Sequence, residues 1–253
     1  MNILLFEEHE VSAEGILTVC GDRARHMIDV QRMEVGQRVR IGALGGKQGS
    51  GRIAALSPDR VEIRIEALDA EVPAATTDLI VALPRPQILK KILSMAAALG
   101  VRRIMLVRSA RVIKSYFDSP ALAPDKINQQ LMLGLEQAIA THLPEVTIHE
   151  RFRPFIEDAL PGIAKETDVS LLAHPAATCD ICELGLVERL GARSTVALAI
   201  GPEGGWEQHE VEAFERVGFM ACSSGRHVLR VDTAVGVLLG QVEMLRRLPS
   251  ASE

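Results

Sequence analysis

Two short runs in the second half of the chain hold the residue types that could do chemistry. The first, Ile200-Gly-Pro-Glu-Gly-Gly-Trp206, sets a carboxylate among glycines directly after an apolar stretch, 195–200, that reads as a buried strand. Glycines in such a turn leave backbone N–H and C=O groups open to a ligand. Glu203 is oddly placed for packing there and well placed for chemistry. The second run, Gly225-Arg-His-Val-Leu-Arg-Val-Asp-Thr-Ala234, follows after one helix length. Arg230 stands just before a helix start, where a guanidinium suggests binding of a phosphate or an electron-rich base. Asp232 and Thr233 read as N-cap residues of that helix.

The spacing disfavours several chemistries. The glycine run has no Lys-Ser or Lys-Thr after it, as a phosphate-binding P-loop would, and no Gly-x-Gly-x-x-Gly dinucleotide pattern. An ordinary strand-to-helix turn is the plain alternative. None of the seven histidines sits beside a serine in a nucleophile elbow, which leaves a hydrolase little support. Cys179 and Cys182 form a lone C-x-x-C, with Cys20 and Cys222 single and remote, so incidental thiols are favoured over zinc and no metal is expected. His174, before Pro175 at a strand end, is read equally as a site residue or an inconsequential loop histidine.

The elements that must position these runs alternate. Strands are expected over 78–83, 101–107, 146–149, 168–173, 195–200 and 219–222, with helices over 87–99, 124–141, 155–160, 181–190, 208–217 and 232–248. That order is α/β with a mostly parallel sheet. Ligands bind beyond the carboxyl ends of such strands, where 83–84, 173–175, 201–205 and 223–230 should converge. Gly236 and Gly240 permit close backbone contact, with the sheet or with a second subunit. Before residue 70 the grammar differs, with short alternating strands over 37–42, 51–55 and 60–66 and a short helix over 22–33 carrying Arg23, Arg25 and Arg32. The expected division is a small β domain over 1–70 and an α/β domain over 71–253.

The chain of 253 residues is long enough for two cores. Four cysteines, no signal-peptide pattern and no apolar run of membrane-spanning length point to a soluble cytoplasmic protein. A net charge of −5 argues by itself against a general nucleic-acid binder. Its distribution reverses that impression. No acidic residue lies between Asp78 and Asp118, yet eight basic residues do, Arg85, Arg108 and Arg111 among them. A second run, 20–60, holds eight basic residues against four acidic ones. Two such runs in one acidic chain favour an RNA surface over solvated faces. With one Trp and one Tyr, stacking platforms for a long single strand are lacking.

Taken together, these residues resemble the SPOUT class of RNA methyltransferases, and within it the RsmE family that methylates N3 of a uridine in bacterial small-subunit ribosomal RNA. The resemblance runs nearly end to end, through Arg25-His26 to Gly36, Ala82-Leu-Pro84, Leu99-Gly-Val101, Glu136-Gln137, Gly201-Pro-Glu-Gly-Gly205 and Leu229-Arg-Val-Asp-Thr-Ala234. It implies a PUA-like small β-barrel, a trefoil-knotted α/β domain, a homodimer, and S-adenosylmethionine as cofactor. By position, Leu172, Ala173, His174, Ile200, Gly201, Gly205, Ser223, Gly225 and Leu229 would surround the cofactor, and Arg230 and Glu203 would face the uridine. Four positions depart from the family pattern: Arg85 for a lysine, Ala140 for an arginine, and His227 and Asp232 for an arginine and a glutamate. The rival readings are a SPOUT enzyme acting on another ribosomal or transfer RNA nucleotide, and a non-catalytic RNA-binding assembly protein.

Overall fold

A computed structural model describes residues 2–248, so the expected domain limits at 1 and 253 lie outside the described residues. The chain divides into two compact units, Met1–Pro73 with Leu135–Leu143, and Ala74–Gly134 with Pro144–Glu253.

The first unit is a five-stranded sheet of β1 (Leu4–Phe6), β2 (Ile16–Cys20), β3 (Arg38–Ala43), β4 (Gln48–Ser57) and β5 (Arg60–Ala70), in the order β1-β3-β4-β5-β2. It curls as a half-barrel, and its edge strands β1 and β2 do not pair. The curl has a local cause. The β4/β5 ladder shifts register three times, and bulges of this kind bend a strand and raise its twist. At two of those places only glycine fits, since a Cβ on Gly49 would lie 1.9 Å from the Ala67 carbonyl oxygen and one on Gly51 2.5 Å from Ile63. Inside the curl pack Phe6, Leu17, Val19, Ile41, Ile53 and Ile63.

Two readings need correction here. The helix expected over 22–33 is a short α1 (Gly21–Arg25) that widens into a π-type turn, His26–Val30, and stops at Arg32 with φ 51°. The segment 135–143 belongs to this unit rather than the second. Its helix ends early because Ile139 adopts φ 57°, and the chain then lies on the β3–β4 turn through Gly45 N to the Thr141 carbonyl at 2.8 Å and Thr141 Oγ1 to the Gly46 carbonyl at 2.7 Å.

The second unit is a wholly parallel six-stranded sheet: β6 (Thr77–Ala82), β7 (Val101–Val107), β8 (Glu145–His149), β9 (Val169–Ala173), β10 (Val196–Ile200) and β11 (Met220–Cys222), ordered β11-β9-β10-β6-β7-β8. The central β6 and β10 are buried along their whole length, as a sheet covered on both faces requires. Its helices are α2 (Pro86–Ala98), α3 (Pro124–Ala138), the rod of α4 (Phe152–Pro154), a π-type turn (Phe155–Ala159) and α5 (Leu160–Glu166), then α6 (Gln208–Glu215) and α7 (Val231–Arg247). Gly134 lets α3 lie directly on α2, where a Cβ would stand 2.0 Å from the Ser94 carbonyl oxygen. The helix expected over 181–190 is instead two 3-10 turns, Ile181–Glu183 and Leu186–Glu188, parted by Gly185 at φ 63°. The helix expected over 155–160 runs longer because Phe155, Leu160 and Ile163 continue one buried face. No helix among the described residues is long and apolar enough to cross a membrane.

Candidate active site

Three strand ends of the second unit meet at one edge. β10 runs into Gly201, against which the Trp206 indole lies so closely that a Cβ would be 3.1 Å from the ring. The turn closes with Gly205 N donating to the Pro202 carbonyl at 2.8 Å, at a φ of 75° that favours glycine. This loop is held from outside. Arg111 donates to the Gly204 carbonyl and, at 2.8 Å, to Glu207 Oε1. The fully buried Glu210 accepts from Ala110 N and Glu207 N, each at 2.8 Å.

The other two strands end beside it. After β9, His174 N donates to the Cys222 carbonyl at 2.9 Å and its Nδ1 accepts from Ala176 N at 3.2 Å. After β11, Ser223 N donates to the Cys179 carbonyl at 3.0 Å, and the Ser223 hydroxyl donates to the Asp180 carboxylate. Gly225 at φ 123° then turns the chain toward α7. The N-cap of α7 is Arg230, with extended backbone and no capping side chain, and not Asp232 as the sequence suggests. Asp232 falls one residue inside the helix and faces the site.

These segments enclose a cavity of about 600 Å³, within the range of small-molecule sites. Of the predicted cofactor residues, Ala173, His174, Ile200, Gly201, Gly205, Ser223, Gly225 and Leu229 line it, and so do Glu203 and Arg230. Leu172 does not: it is wholly buried inside β9. Arg85, expected on an RNA surface, stands at the cavity with Nε 3.9 Å from Glu203 Oε1. Arg230 Nε lies 3.6 Å from Asp232 Oδ1, and Lys91 Nζ 3.9 Å from Asp232 Oδ2. Arg108 borders a separate cavity, and Arg111 is engaged with the glycine loop. In the first unit Arg23 is tied to Glu10 at 2.9 Å and to the Leu5 carbonyl, Arg25 pairs with Asp22, and Arg32 is exposed.

Sequence reading missed several wall residues. Trp206 is 3 % exposed, and its Nε1 has no hydrogen-bond partner in the protein. Asp232 Oδ1 likewise accepts no hydrogen bond. An unmet donor and an unmet acceptor in one wall suit a polar ligand. The wall thiol of Cys222 is pushed up to about 12, by burial first and by Asp180 second, so it stays protonated near neutral pH. No group of three or more His, Cys, Asp and Glu able to hold a metal occurs among the described residues.

The model of the RNA methyltransferase domain matches residues 71–243. Ribosomal RNA small subunit methyltransferase E of Treponema pallidum (strain Nichols) is 32% identical over 236 residues, covering 92% of this chain and 87% of the Treponema one. The chain belongs to the ribosomal RNA small subunit methyltransferase E family. A second family member, from Bacillus subtilis (strain 168), is 20% identical and covers 94% of this chain and 95% of its own. The fold of the family extends over nearly all of the described residues. The crystal structure of ribosomal RNA small subunit methyltransferase E from Neisseria gonorrhoeae bound to S-adenosyl methionine superposes with a TM-score of 0.79 at 20% identity, covering 97% of this chain and 98% of that one.

Proposed function

We propose that this chain is an S-adenosylmethionine-dependent methyltransferase that methylates N3 of a uridine in small-subunit ribosomal RNA. The observation that carries the reading is the meeting of β9, β10 and β11 ends around one cavity with Glu203 and Arg230 in its wall, in a member of this family. S-Adenosylmethionine fits what is there. The cavity volume is ample, glycine turns expose backbone groups, and Asp232 supplies a carboxylate close to where a cationic ligand would sit. When bound, S-adenosylmethionine supplies a methyl carbon made electrophilic by its sulfonium.

The chain's own task is to bring N3 of the uracil in line with that carbon and to move one proton. Water must be displaced from between them, which a walled cavity accomplishes. As N3 loses its proton, negative charge develops on the uracil carbonyl oxygens, and Arg230 is the guanidinium placed to stabilise it. Glu203 orients the base or accepts the N3 proton, with Arg85 beside it as counter-charge. The uridine must be splayed from its stack to enter, and the first unit would serve as the PUA-like domain that docks RNA backbone. The trefoil knot and a cytoplasmic location belong to the same reading. Incubating the protein with small ribosomal subunits and labelled cofactor, then digesting the RNA to nucleosides, is expected to yield 3-methyluridine. A different methylated nucleoside, or none, rejects the assignment.

The dimer implied by the resemblance finds support on α7. Gly236 faces Met95 of α2, whereas Gly240 opens onto free space, flanked on one helical face by exposed Val237 and Met244. Light scattering is expected to give twice the 27.5 kDa chain mass for the wild type and a single chain for Val237→Asp/Met244→Asp. A monomeric wild type removes this part of the proposal.

A further inference from the structure

The C-terminal edge of the six-stranded sheet holds a second cavity. It has a volume of about 520 Å³ and lies where β7 and β8 end, walled by 108–110, 150–154 and the start of α6. The sequence singled out Arg108 alone in this region. Arg151 joins it from the neighbouring strand end, and neither guanidinium has an ion-pair partner among the described residues. Next to Arg108 in the chain and in the same wall, Ser109 is 2 % exposed and its hydroxyl has no partner. Buried hydroxyls in native proteins are nearly always paired, so this one calls for a ligand.

The charges facing the cavity decide the sign of that ligand. Arg153 is engaged by Glu157 at 2.7 Å. Both carboxylate oxygens of Glu210 already accept backbone N–H groups, and Glu150 lies exposed at the rim. What is left unpaired is two guanidiniums, a hydroxyl and the exposed His209, against the single exposed carboxylate of Glu150. A tetrahedral oxyanion, with several acceptor oxygens for planar donors, matches that set.

We infer that this cavity seats a backbone phosphate of the RNA whose uridine enters the first cavity, an inference that rests on the methyltransferase reading above. Position argues for it. In the sheet β10 is followed by β6, β7 and β8, so the two sites share one edge: their nearest strand ends, β10 and β7, are two strand spacings or roughly 10 Å apart, and their centres roughly 17 Å. They also share a loop: Ser109 and Ala110 border the phosphate site, and the next residue, Arg111, holds Gly204.

The test uses the full chain and a transcript of small-subunit ribosomal RNA, with binding measured against potassium chloride concentration. The double variant Arg108→Ala/Arg151→Ala is expected to lower the slope of log affinity against log salt by roughly 0.7–0.9, the share of one phosphate, and each single variant by part of that. Ser109→Ala is expected to leave the slope unchanged, to weaken RNA binding by about three- to tenfold, and to keep or raise Tm, because it removes an unmet hydroxyl. S-Adenosylhomocysteine affinity, by calorimetry, should be unchanged in all of them. Wild-type slope and affinity in the double variant overturn the inference. Tight inorganic phosphate binding, combined with an unmoved RNA slope in the arginine variants, makes this a free-phosphate site and also overturns it. Failure of the wild type to bind S-adenosylhomocysteine rejects the methyltransferase reading instead, and the salt slopes then judge the phosphate site alone.

Discussion

Replacing Arg230 with alanine is expected to lower the methyl-transfer rate constant by about 10²–10³-fold, the usual cost of losing one donor to a developing oxyanion. Affinity for S-adenosylhomocysteine should stay within about threefold. The separation follows from how Arg230 is built into the fold. Its backbone does the structural work, capping α7 with an extended conformation and accepting Ala234 N at 2.8 Å, and alanine retains both features. Its side chain is 74% exposed and its one ion pair among the described residues is with Asp232, at 3.6 Å, so little stability depends on it. The remaining wall is drawn mainly from 173–175, 200–206 and 222–229, which the substitution leaves alone. Single-turnover methylation of small ribosomal subunits, paired with calorimetry, measures both quantities. Arg230→Lys should retain part of the rate, because charge survives while the planar donor pair does not. A variant that loses cofactor affinity by more than about tenfold, or one that turns over normally, assigns Arg230 a different role.

What sequence reading recovered and what it missed have physical causes. The parallel sheet was legible because its strands are buried on both faces and read as short apolar runs punctuated by helical periods. The convergence of 173–174, 200–205 and 223–229 followed from that topology, since parallel strands deliver their ends to one edge. Pairwise contacts were invisible. Arg111 counted toward a basic surface, yet it donates to Gly204 and Glu207, more than ninety residues away. Trp206 was seen as a lone aromatic, and its unmet N–H emerges only once Gly201 lies beneath the ring. β1 spans three residues, too few to show alternation, and β2 is paired by a strand forty residues on. The exchange of 135–143 into the first unit turns on one residue, Ile139, in a left-handed conformation that nothing local to its sequence announces.

The second large effect is expected at the other edge of the sheet. Asp78 opens the acid-free stretch from which an RNA surface was inferred, and it binds two members of that stretch. Wholly buried near the start of β6, it accepts from Arg102 at 2.9 and 2.6 Å and from Arg103 at 3.1 and 2.6 Å, while Arg103 also reaches Glu166 at 2.9 Å. Burial pushes its carboxyl upward, but the hydrogen bonds and charge of the two arginines outweigh it and hold the group below its ordinary value. Asp78→Asn keeps the shape and removes the anion, leaving two adjacent guanidiniums against a neutral amide. Breaking a buried pair costs about 3–5 kcal/mol, and the lower end is expected because both arginines remain partly open to water. Urea denaturation at pH 7 measures the loss. The sign with pH follows from the lowered carboxyl. Its contribution is fully present above the ordinary carboxylate range and fades as pH falls through the folded-state value, so the gap between wild type and variant should narrow under acid. Arg103→Met, which leaves Arg102 on the carboxylate, should cost less than Asp78→Asn. Because the cavity lies at the opposite ends of these strands, the folded fraction of the variant should methylate at the wild-type rate. A loss below about 1 kcal/mol at pH 7, or a gap that widens in acid, shows that the cluster does not stabilise the sheet as the charge-pair argument requires.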